Sequence, residues 1–112
     1  MSIRYVERDT YLYERFTLGD CDILANAISE RTGWPVIYFE GYRGGHAVVQ
    51  LPDGRYLDVG GIQTRAELDE VWDFPDETEP WELWCDYRDL DDELYRTAEE
   101  LIALAMTEPV SA

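Results

Sequence analysis

The sequence predicts an α/β fold of the α+β kind, a small antiparallel sheet of three to four strands packed against an N-terminal helix and closed by a C-terminal helix. Three observations carry this expectation. Ile23, Leu24, Ala27 and Ile28 recur at helical spacing, giving one apolar stripe. Between residues 36 and 59, three β-branched or aromatic runs are separated by segments rich in Gly and Pro. Leu94, Leu101, Ile102 and Ala105 form a second stripe behind an acidic start, where carboxylates favour the positive end of the helix dipole.

In chain order, residues 1 to 18 mix aromatics and charges, and Tyr5, Tyr13 and Phe16 suit an N-terminal strand or a short helix. A helix follows from about 20 to 32, with Gly33 as the C′ residue that accepts a left-handed backbone. After Trp34-Pro35, residues 36 to 39 read as a strand, ended by the loop 41 to 45. Residues 46 to 51 and 55 to 59 make an antiparallel hairpin across Pro52-Asp53-Gly54. Thr64-Arg-Ala-Glu67 is a capping box opening a short helix through Trp72. Residues 73 to 80, with two prolines and four acids, read as a loop, 81 to 87 as a further strand, and the closing helix starts from Asp89.

A chain of 112 residues, 46% hydrophobic with four Trp, eight Tyr and three Phe, has the makings of one core, so residues 1 to 112 are expected to form a single domain. No segment approaches the roughly 18 apolar residues of a membrane span and no apolar signal region opens the chain, so a cytoplasmic protein without membrane association is expected. Cys21 and Cys85 lack any C-x-x-C pairing, which predicts free thiols, no metal site and no cofactor.

Charge separates the two halves. Residues 1 to 65 hold nine acids and seven Arg, whereas 66 to 108 hold sixteen acids and only Arg88 and Arg96; the whole chain carries −16. Phosphate-binding surfaces need the opposite sign, so direct nucleic-acid binding is excluded.

One constellation has the makings of catalysis. Cys21 falls in the first turn of the 20–32 helix, where the helix dipole favours a thiolate. His46 begins a strand after a glycine-rich loop, and Asp58 lies near the end of the next strand, beside it across the hairpin. A nucleophile on a helix N-terminus, a base on one strand and an orienting carboxylate on its neighbour satisfy triad logic.

Gly19-Asp-Cys21, His46-Ala-Val-Val and Asp53-Gly-Arg-Tyr-Leu-Asp58 together resemble the core of papain-like and transglutaminase-like cysteine hydrolases, over roughly residues 17 to 62. The resemblance implies Cys21 as nucleophile, His46 as general base and Asp58 as its orienter. Two departures stand against it. Asp20 and Asp22 flank the thiol with like charge, and residues 11 to 20 contain no Gln or Asn to serve as an oxyanion donor.

The acidic part supports a different reading, which the sequence places slightly ahead. Asp73, Asp76, Glu77, Glu79, Glu82, Asp86, Asp89, Asp91, Asp92 and Glu93 make a field that repels DNA and attracts a basic protein groove. In size and charge the chain resembles small acidic phage-encoded inhibitors that imitate DNA, among them anti-CRISPR proteins. That resemblance implies a basic partner, a CRISPR-Cas effector or another nucleic-acid-binding protein. The cysteine hydrolase is the first alternative, and an antitoxin or immunity protein against a basic nuclease the second.

Overall fold

A computed structural model of the chain describes residues 3–7, 10–41, 44–72 and 92–107. Along them run β1 (Ile3–Arg4), α1 (Tyr11–Leu18), α2 (Cys21–Thr32), β2 (Val36–Gly41), β3 (Gly44–Gln50), β4 (Tyr56–Asp58), β5 (Gly61–Gln63), α3 (Arg65–Trp72) and α4 (Asp92–Thr107). The fold is α+β, as predicted, but the sheet has five strands rather than three or four. Their order is β1-β5-β4-β3-β2, antiparallel throughout.

The extra strands have a local cause. The run predicted as one strand over 55–59 turns back at Val59-Gly60, pairing Asp58 with Gly61 and making β5 a separate strand. Gly61 has φ +111°, and a Cβ there would lie 1.9 Å from the Ile3 carbonyl oxygen. Only glycine lets β1 close on β5 at that point. The N-terminal segment, expected as strand or helix, supplies both β1 and α1, the helix being capped by Thr10, whose hydroxyl accepts from the Tyr13 N–H.

The glycine-rich segment 41 to 45, expected as a loop, instead extends the ladder, with Gly41 ending β2, Gly44 opening β3, and Glu40 paired with Gly45, because glycines without side chains still complete the backbone pairing. α2 ends at Gly33, left-handed at φ 79°, whose N–H donates to the Ser29 carbonyl at 2.8 Å. At α3 the capping box is formed. The Thr64 N–H donates to Glu67 Oε1 at 3.0 Å, and the Glu67 N–H donates to Thr64 Oγ1 at 3.2 Å. Thr64→Ala should therefore cost about 1 kcal/mol, read as a lower urea midpoint with an unchanged slope. The predicted loop 73–80, the strand 81–87, the helix start at Asp89 and Cys85 lie outside the described residues.

Side chains alternate across the sheet. Val36, Ala47, Val49, Leu57, Val59 and Ile62 pack with Phe16 of α1, Leu24 and Ile28 of α2, and Leu94, Ala98 and Leu101 of α4. On the other face Ile37, Phe39 and Val48 pack with Leu68 of α3. Each fully buried Leu, Ile, Val or Phe contributes about 1.5–3 kcal/mol relative to exposure, so both layers hold the sheet. Ion pairs from Arg15 to Glu93 and from Arg31 to Glu99 tie α1 and α2 to α4. Among the described residues no helix is long and apolar enough to cross a membrane.

Candidate functional site

Cys21 is the first residue of α2, partly exposed at the helix N-terminus and packed against the main core. Asp20, the residue before the helix, makes no side-chain cap. Its carboxylate instead accepts from Arg15 Nε at 3.0 Å, while Arg15 also donates to Glu93 Oε1 at 2.6 Å. Asp22 turns onto the backbone, accepting from the Ile23 N–H at 2.9 Å. The two carboxylates that flank the thiol in sequence are thus engaged elsewhere, one of them by a cation.

The β3–β4 hairpin supplies the other two members. Its register pairs Val49 with Leu57 and Gln50 with Tyr56, which carries Asp58 to within two residues of His46 along β3. His46 is fully buried and Asp58 nearly so. The His46 Nε2–H donates to Asp58 Oδ2 at 2.8 Å, which leaves Nδ1 as the ring nitrogen not engaged by the carboxylate. Asp58 Oδ1 accepts twice more, from the Gly60 N–H at 2.7 Å and from Gln63 Nε2 at 2.6 Å. Cys21 and Asp58 line one small gap and His46 interacts with both, so the three residues converge.

The electrostatics follow from that contact. Burial pushes the Cys21 thiol up, but the hydrogen bond and positive charge of His46, with help from the Ala47 N–H, pull harder. The net effect lies below the ordinary thiol value, with Asp22 opposing it only weakly. Burial alone would lower His46, yet its bonds to Asp58 and Cys21 and their negative charge raise it from 6.5 to about 9. The flanking acids, expected from sequence to oppose the thiolate, do so through Asp22 but do not reverse the downward shift. The same contact thus favours the thiolate on Cys21 and the imidazolium on His46.

The surroundings are dry. Phe16, Leu24, Ala25, Ile28, Ala47 and Leu57 close around Cys21 and Asp58, and the gap among them has no room for a water molecule. Charges that water does not screen interact more strongly, which favours the pair. On another side, Gly60 and Gln63 border a polar cleft of about 200 Å³ that also meets Arg4, Tyr13 and Glu70.

Arg15, Ala47, Gly60 and Gln63 escaped the sequence reading. Of these only Gly60 carried a signal, because an Asp commonly accepts from the N–H two residues on. Of the carboxylates expected to bind a partner, Asp73, Asp76, Glu77, Glu79, Glu82, Asp86, Asp89 and Asp91 lie outside the described residues. Asp92 and Glu93 open α4, and Glu93 is held by Arg15. Compared with protein-family models, with curated proteins and with solved structures, the chain matches none.

Proposed function

We propose that the protein is a cysteine-dependent hydrolase or acyltransferase of the papain-like type, with Cys21 as nucleophile, His46 as acid and base, and Asp58 as orienter. One observation carries the reading: a fully buried imidazole bonded to a carboxylate at 2.8 Å lies against a thiol whose pKa is lowered. A structural cysteine in an apolar setting would have its thiol raised instead.

In the reaction the Cys21 thiolate attacks a carbonyl carbon. The π electrons move onto the oxygen, and the collapsing tetrahedral adduct expels the leaving group, which takes the Nδ1 proton of His46. An S-acyl thioester on Cys21 remains. Water, or another acceptor, then gives a proton to His46 as it attacks the thioester, and the thiolate departs. Residues 11 to 20 hold no Gln or Asn for the oxyanion, so the backbone N–H groups of Cys21 and Asp22, which Asp20 leaves uncapped, serve as its donors, the Ile23 N–H being taken by Asp22. The −16 net charge disfavours anionic substrates, and a reducing cytoplasm keeps Cys21 as a thiol.

The test is acylation by an activated ester followed by intact mass. Wild type should show a stoichiometric burst and an acyl adduct on Cys21, and Cys21→Ser should show neither. Acylation of wild type no faster than that of an unfolded control sinks the reading. The second reading, an acidic inhibitor of a basic nucleic-acid-binding protein such as a CRISPR-Cas effector, rests on the −16 charge alone. It requires Cys21→Ser to retain full activity.

A further inference from the structure

We infer that Gln63 is a positioning residue that aims Asp58 at His46; this rests on the cysteine-site reading above. Asp58 has two carboxylate oxygens with separate duties. Oδ2 accepts from His46 at 2.8 Å, while Oδ1 accepts from Gln63 Nε2 at 2.6 Å and from the Gly60 N–H at 2.7 Å. A carboxylate held by one oxygen alone can swing about its Cα–Cβ bond. Fixing Oδ1 from two directions leaves Oδ2 a single orientation, toward the imidazole.

The backbone is built for this contact. Asp58 pairs with Gly61 across the β4–β5 turn, and Tyr56 pairs with Gln63, so the two strands carry Gln63 back beside Asp58. Gly60 keeps the path open, since a Cβ there would lie 3.0 Å from Asp58 Oδ1 and 3.2 Å from Gln63 Nε2. The turn is pinned in turn to the N-terminal segment, where the Tyr5 N–H donates to the Gly60 carbonyl at 3.1 Å.

Without the amide, Oδ1 keeps only the Gly60 N–H, and with one of its two restraints gone Oδ2 drifts from His46. The imidazolium is then less well stabilised and the thiolate loses part of its partner. The carboxylate shares its charge between both oxygens, so the lost donor also strengthens Oδ2 as an acceptor, and the positioning role is read from the loss of aim outweighing that gain. Gln63 acts on the thiol through Asp58 and His46.

The discriminating substitution is Gln63→Met, which keeps length and bulk but removes the donor, read by the pH dependence of Cys21 alkylation with iodoacetamide. The expected result is an acid limb raised by about one pH unit, equivalent to a roughly tenfold slower alkylation below the wild-type limb. A side chain that only fills space would leave the limb where it is, and that outcome overturns the inference while the cysteine site stands. An ordinary thiol limb in the wild type itself, near 8.5, would instead remove the cysteine-site reading on which the inference depends.

Discussion

Asp58→Ala should lower stability at pH 7 by about 3–5 kcal/mol, most of the margin of a domain whose total is roughly 5–15 kcal/mol. His46 is 0% exposed and its pKa of about 9 makes it charged at neutral pH. Removing the carboxylate leaves a buried imidazolium without its anion, or forces it to release its proton. Either result discards the interaction that offset its burial. The Gly60 N–H and the Gln63 amide lose their acceptor at the same stroke. The pH dependence has a definite sign. A histidine raised from 6.5 to about 9 by folding contributes stability that is fully present below pH 6.5 and lost as pH rises through 9. The gap between wild type and Asp58→Ala should therefore narrow from pH 6.5 to 10 in urea unfolding. A variant within about 1 kcal/mol of wild type at pH 7 would mean that His46 is neutral in the folded protein and the bond a modest one.

What could be read in advance depended on range. α2 was legible because its stripe, Ile23 to Ile28, and its stop, Gly33, lie within one short segment. So was the meeting of His46 with Asp58, since a hairpin of the length implied by Pro52-Asp53-Gly54 must return Asp58 toward His46. The five-strand sheet was not legible. β1 has two residues and β5 three, too short for alternation to register, and their pairing is decided by the close approach at Gly61. The flanking charge was legible in sign but not in size, since Asp22 does oppose the thiolate. Asp20 and Asp22 are neighbours of Cys21 in sequence, but their effect depends on what they bond, and Arg15 reaches Asp20 from α1. Gln63 carries no mark of its own, and only the β4–β5 register gives it a role. The acidic field was plain from composition, yet composition does not say which carboxylates are already paired, as Glu93 is.

His46→Gln separates the two services the imidazole performs. For simple alkylation the histidine matters only by holding the thiolate, and without it burial and Asp22 push the thiol toward or above its ordinary value. The loss of thiolate at pH 7 is partly offset, because a thiolate of higher pKa is intrinsically more nucleophilic, with a Brønsted coefficient of about 0.4–0.5. Alkylation should fall only about tenfold. Acyl transfer also needs a proton for the leaving group, which glutamine does not deliver, so that reaction should fall by about 10²–10⁴-fold. Wild-type transfer should follow a bell, its alkaline limb near pH 9 where His46 loses its proton and its acid limb below the usual thiol range. His46→Gln should abolish the alkaline limb and move the acid limb upward. If alkylation and acyl transfer fell by the same factor, His46 would be holding the thiolate without serving as the acid, and proton delivery would have to come from another group.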